Sequence, residues 1–142
     1  MCGRFSFFSN EILIEEHFGI NIEEESYQPS YNCAPSQKLA VISSENMHVL
    51  SFYRWGLIPF WAKDASIGNR LINARAETVD GKASFRNAFK KRPCLVLSNG
   101  FYEWKKEPGG KQPFFIGLKD GGLFAMAGLW ELWKDAEGRP LR

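Results

Sequence analysis

The dipeptide Asn99-Gly100 stands between two short strand-forming runs, Cys94 to Leu97 and Phe101 to Lys106, and constrains the fold more than any other feature. Asn and Gly tolerate the positive φ angles of a two-residue hairpin turn, so the pattern predicts two adjacent antiparallel strands. Runs of similar character at Leu39 to Ile42, Met47 to Tyr53, Pro113 to Leu118 and Leu123 to Trp133 extend the sheet. The opening Cys2 to Phe8 alternates, with Gly3, Phe5 and Phe7 on one face and Cys2, Arg4 and Ser6 on the other. A thiol and a guanidinium would then share one side of a strand.

Helices are predicted to be short and peripheral. Ser9 or Asn10 can cap a helix through His17 in which Ile14 and Phe18 stack one turn apart, with Gly19 placed to end it. Ala83 to Lys91 predicts a second, with Phe85 and Phe89 on one face and basic residues in its last turn before Pro93. Glu23 to Pro35 reads as loop, and Trp55 to Trp61 as a segment rich in Gly, Pro and Trp. The expected fold class is α+β, a mostly antiparallel β-sheet or open barrel with peripheral short helices. At the end, Leu129 to Lys134 reads as a strand, Asp135 to Gly138 as a turn, and Arg139 to Arg142 as a returning strand that breaks off. The expectation is a chain truncated at its C-terminus, with an unpaired edge open to strand-edge dimerisation.

A length of 142 residues with 44% hydrophobic and 24% charged side chains fits one domain over residues 1–142, neither disordered nor membrane-embedded. The apolar runs are too short to cross a bilayer and none reads as a signal peptide, so a cytoplasmic, nucleoid-associated location is expected, or a nuclear one in a eukaryote. Cys2, Cys33 and Cys94 fit neither a disulfide framework nor a zinc site built on paired cysteines, and His17 and His48 lack metal-ligand spacing. Reduced thiols, no metal and no cofactor are expected. Gly109-Gly110 and Gly121-Gly122 read as turns rather than as a phosphate-binding loop. The net charge of +2 is unevenly spread: residues 1–30 hold six glutamates against Arg4 alone, residues 31–142 hold 17 basic and 10 acidic side chains. A basic surface for nucleic acid is one reading of this asymmetry and ordinary charge scatter the other.

Chemistry concentrates in three segments. Removal of Met1 before the small Cys2 would leave an amine and a thiol on adjacent carbons. With an amine pKa near ~8, that 1,2-aminothiol can form an imine with an aldehyde, which the thiolate then closes to a thiazolidine. N-terminal-nucleophile amide hydrolysis would use the same atoms, and a small buried Cys without a role is the plain alternative. Asn73, Arg75 and Glu77 share one side of a predicted extended segment, where the carboxamide can orient a reacting group and Arg75 can hold a phosphate; a surface Arg75-Glu77 pair explains the same spacing. Glu103 lies between Tyr102 and Trp104, as a crowded proton donor and acceptor or as a solvent-facing strand residue. The aromatics of Trp55 to Trp61 can stack on bases or fill core, and Trp55 reads as core.

Taken together, Met1-Cys2-Gly3-Arg4, Tyr31-Asn32-Cys33-Ala34-Pro35, Trp55-Gly56-Leu57, Asn73 to Thr78, Gly100 to Trp104 and Ala127-Gly128-Leu129-Trp130 resemble the SOS response-associated peptidase (SRAP) family. The resemblance implies that Cys2 forms a thiazolidine with the ring-opened sugar of an abasic site, shielding the lesion in single-stranded DNA. It implies that Asn73 orients the sugar, that Glu103 shuttles protons, that Arg4 and Arg75 grip flanking phosphates, and that Pro35 and Trp61 wedge against stacked bases. Removal of Met1 by self-processing or by an aminopeptidase is implied as well. Members of that family continue for several further strands and supply a His in a His-Asp-Arg-like segment, which neither His17 nor His48 matches; capture without ready reversal is the corresponding expectation. A non-covalent reader of modified or damaged DNA, and a thiol peptidase acting in trans, are the competing readings.

Overall fold

In the computed structural model, which describes residues 2–23 and 27–142, the chain is built around strand β1 (Phe5–Phe7), all three residues of which are buried. The remaining strands, in chain order, are β2 (Ser30–Cys33), β3 (Lys38–Ser43), β4 (Asn46–Arg54), β5 (Pro93–Ser98), β6 (Gly100–Glu107), β7 (Gly110–Gly117), β8 (Phe124–Leu129), β9 (Trp133–Lys134) and β10 (Pro140–Leu141). They form one four-stranded sheet in the order β2-β1-β6-β7, a second in the order β4-β3-β5-β8, and the short pair β9-β10. Every paired strand is antiparallel. The α+β, mostly antiparallel expectation holds, with two open sheets and no closed barrel among the described residues.

Both faces of β1 meet protein, which overrides its alternating pattern. Phe5 and Phe7 join a core with Ile14, Ile20, Tyr27, Leu39, Ile42, Leu50 and Leu97, and burying each such ring or branched side chain stabilises by about 1.5–3 kcal/mol. Ser6, placed by the alternation on the Cys2 face, is also sealed; its hydroxyl donates to the Gly100 carbonyl at 3.3 Å.

Asn99-Gly100 is not the turn of a hairpin. Strand β5 pairs with β3 and β8, whereas β6 pairs with β1 and β7, so residues 98–100 carry the chain from one sheet to the other. Asn99 is used for its carboxamide: Oδ1 accepts from the Phe8 N–H at 2.8 Å, and Nδ2 donates to the Ser9 hydroxyl at 2.8 Å. Gly100 is required by space, since a Cβ there would stand 2.2 Å from the Phe115 ring. The hairpin belongs to Pro108-Gly109, where Glu107 faces Gly110 across β6 and β7 and Gly109 takes a φ of 97°.

Helix α1 (Glu11–Phe18) matches its signals: the Asn10 side chain accepts from the Leu13 N–H at 2.9 Å, and Gly19 ends the helix at a φ of 64°. Helix α2 (Arg86–Lys91) is shorter than predicted. It buries Phe85 and Ala88, three residues apart, and turns Phe89 outward, so the two phenylalanines do not share an inward face. The predicted loop 23–35 contains strand β2, while its residues 24–26 lie outside the described part. The C-terminal hairpin does close: Pro140 pairs with Lys134 and Leu141 with Trp133. Its end is tied down by the Arg54 N–H on the Arg142 carbonyl at 2.8 Å and by the Arg142 guanidinium on Glu45 at 3.1 Å. No helix of the described residues is long and apolar enough to cross a membrane.

Candidate functional site

Cys2 precedes β1, and the pairing of β1 with β6 extends back toward it through the Tyr102 N–H on the Arg4 carbonyl at 2.9 Å. Its thiol is half-buried and donates to the Arg4 carbonyl at 3.5 Å. Burial pushes the thiol pKa above its ordinary 9.0; the hydrogen bond to the Arg4 backbone opposes this, and the Glu103 charge adds to it. Glu103 reaches the neighbourhood of the thiol because β6 runs beside β1. It is half-buried, but its neighbours do not cage it: the Tyr102 ring packs on Phe115 at a centroid distance of 5.2 Å with its hydroxyl on the Tyr31 carbonyl, and Trp104 is 43% exposed.

Asn73 arrives from a segment distant in sequence. Its Nδ2 donates to the Cys2 carbonyl at 2.7 Å. The backbone leading to it is held by the Leu57 N–H on the Leu71 carbonyl at 3.1 Å and by the Trp55 indole N–H on the Ile72 carbonyl at 2.7 Å. The extended course does not continue to Glu77: from residue 76 the chain turns, with the Thr78 N–H on the Arg75 carbonyl at 3.1 Å, leaving Arg75 and Glu77 exposed. The turn, beginning after Arg75, takes Glu77 out of the alternation that would have aligned it with Asn73.

Cys2, Asn73 and Ala74 border a cleft of about 220 Å³ whose walls include Trp55, Leu57, Leu71, Met126, Leu129 and Glu131. Arg4, Arg75, Pro35, Trp61 and Glu103 are not among its lining residues. Arg4 is exposed and its guanidinium donates to the Asn32 side-chain oxygen at 2.8 Å. Pro35 sits half-buried in the turn after β2. Trp61 is 50% exposed on a loop whose Ala62 carbonyl accepts from the Trp133 indole at 2.7 Å. Asn32 and Trp55 were not among the candidate site residues of the sequence. For Trp55 the available signal was its indole N–H, since a buried donor needs an acceptor. Among the described residues, no cluster of His, Cys, Asp and Glu is arranged to hold a metal ion.

This arrangement sets a half-buried thiol at the chain's start, a carboxamide on the same residue's carbonyl and a carboxylate close enough to act on the thiol's charge. Such a group can present a nucleophile, orient it and exchange protons. Comparison with known proteins agrees with the sequence motifs. Residues 1–142 match the description "SOS response associated peptidase (SRAP)". The abasic site processing protein YoqW of Bacillus subtilis is 49% identical over 145 residues, covering 99% of this chain and 65% of that protein. The abasic site processing protein YedK of Escherichia coli is 32% identical, over 97% of this chain and 65% of its own length. A crystal structure of a Bacteroides thetaiotaomicron protein superposes with a TM-score of 0.87 at 28% identity, covering 99% of this chain and 65% of that one. The chain thus spans 65% of the length of its Bacillus relative.

Proposed function

Because the chain belongs to the SOS response-associated peptidase family, we propose that it processes abasic sites in DNA by covalent capture through Cys2. After Met1 is removed, the free amine condenses with the aldehyde of a ring-opened abasic sugar, expelling water to give an imine. The thiolate adds to the imine carbon, and the nitrogen takes up a proton as the thiazolidine closes. Met1 itself lies outside the described residues, and its removal by self-processing or by an aminopeptidase belongs to the proposal.

The observation that carries this reading is the 2.7 Å bond from the Asn73 carboxamide to the Cys2 carbonyl at the border of the cleft. Nothing in strand pairing requires that contact, and it fixes the residue that would bear both reacting atoms. In this reading Asn73 orients the sugar and Glu103 carries protons during imine formation. Arg4 and Arg75, both exposed, grip flanking phosphates, and Pro35 and Trp61 contact bases. Unstacked bases are available in single strands, so single-stranded DNA is the proposed substrate. Cytoplasmic or nuclear DNA would be its setting. Pairing of two copies along a strand edge at the C-terminal hairpin is the assembly proposed, testable by sedimentation at rising concentration.

The test is a denaturing gel and intact mass spectrum of protein incubated with an oligonucleotide carrying one abasic site. The expected result is an adduct of protein lacking Met1, absent in Cys2→Ala. Salt-sensitive binding by the parent chain that leaves no adduct, and that is unchanged in Cys2→Ala, would sink covalent capture and favour a non-covalent reader.

A further inference from the structure

We infer that Trp55 is a positioning residue that holds Asn73 against Cys2, an inference that rests on the aminothiol reading of the site. Trp55 follows β4, is half-buried, and touches both limbs of the site. Its ring packs on Phe5, three residues beyond Cys2, at a centroid distance of 5.3 Å. Its indole N–H donates at 2.7 Å to the carbonyl of Ile72, the residue before Asn73. One side chain thereby links the strand that carries the thiol to the loop that carries the carboxamide.

Leu71, at the start of that loop, is held by its own N–H on the Gly68 carbonyl at 3.1 Å and by packing against the cluster of Leu57, Val79 and Phe85. Residues 71–74 form no strand, and the nearby backbone bond of Leu57 on Leu71 ends one residue short of Ile72. Trp55 itself is anchored: its N–H donates to the Gln37 carbonyl at 2.9 Å and its carbonyl accepts from the Ser36 N–H at 2.8 Å. The next residue, Gly56, packs so tightly on Gly68 that a Cβ would stand 2.5 Å from the Gly68 carbonyl oxygen. The backbone around the indole therefore has no slack, and the N–H transmits that rigidity to Asn73. A ring without the N–H would fill the same space while leaving the Ile72 carbonyl without its donor. A purely space-filling role requires only the fused ring, so benzothienylalanine, which removes the N–H alone, separates the two roles, whereas Trp55→Phe also opens space beside Phe5.

The test uses the full chain with an abasic single-stranded oligonucleotide under single-turnover conditions. Trp55→Phe is expected to lower the maximal crosslinking rate by about fivefold to tenfold, the loss of one neutral hydrogen bond, and to leave the half-saturating DNA concentration unchanged. In an Asn73→Ala background the same change is expected to cost nothing further, because its effect passes through Asn73. Nuclear magnetic resonance gives a readout independent of DNA: the Asn73 side-chain amide protons, bonded to the Cys2 carbonyl, are expected to move to free-amide shifts and exchange faster with water in Trp55→Phe. Replacement of Trp55 by benzothienylalanine, which keeps the fused ring and removes only the N–H, decides the matter by the same measurements, whether or not Trp55→Phe folds. An unchanged Asn73 amide signal, an altered half-saturation with an unchanged rate, or an equal loss of rate in the Asn73→Ala background would overturn the inference. Absence of any adduct in the parent chain would instead refute the aminothiol reading, with the amide signal still deciding the role of Trp55.

Discussion

Glu103 acts on Cys2 through its charge, and the sign of that effect can be measured. A carboxylate near the thiol disfavours the thiolate, so it joins burial in holding the Cys2 pKa above 9.0. Glu103→Gln is expected to lower the thiol pKa, seen as a shift of the alkylation profile of Cys2 toward lower pH, even if proton transfer during capture is impaired. The same reasoning separates the three thiols. Cys33 and Cys94 are buried and burial raises both, Cys94 to about 12, so brief alkylation of folded protein at neutral pH should label Cys2 alone by peptide mass spectrometry.

Two connections bear the constraints that position the site. The crossing at residues 98–100 depends on the Asn99 carboxamide, which satisfies the Phe8 N–H and the Ser9 hydroxyl. Asn99→Ala is expected to destabilise by about 1–3 kcal/mol, because a sheltered donor loses its acceptor; urea unfolding monitored by tryptophan fluorescence measures it. The contact of Gly56 with Gly68 is the second. Gly56 has a φ of 123° and no room for a Cβ, so Gly56→Ala is expected to cost about 2–4 kcal/mol and to slow crosslinking by displacing the loop that leads to Asn73. A variant as stable and as active as the parent would refute this.

The whole molecule carries an alkaline liability. Cys94 is raised from 9.0 to about 12 by burial, and Tyr27, buried with its hydroxyl donating to the Ser9 carbonyl at 2.8 Å, from 10.0 to about 12. The unfolded chain releases these protons first, so their stabilising contribution is complete below pH 9, erodes above it, and is exhausted near pH 12. Melting temperature is expected to decline above about pH 9 more steeply in the parent than in Cys94→Ala, as followed by circular dichroism.

Local pattern determined what depends on neighbours in the chain. The strands β3 and β4, the cap at Asn10 and the stop at Gly19 follow from alternation and from donors that a helix end leaves unpaired. Residue type made Cys2, Asn73 and Glu103 candidates, but a plain buried thiol, a surface ion pair and a solvent-facing carboxylate explained the same residues, and the resemblance of the six motifs to one family selected them. Tertiary structure decided what depends on distant partners. Asn99-Gly100 has the same local preference in a hairpin as in a crossing between sheets, and only the competing partners β1 and β3 chose between them. The outward turn of Phe89, the exposure of Trp104 and the bond of Trp55 to Ile72 were equally invisible locally. A residue's type limits the bonds it can make, but which bond it makes depends on surfaces that other parts of the chain bring against it.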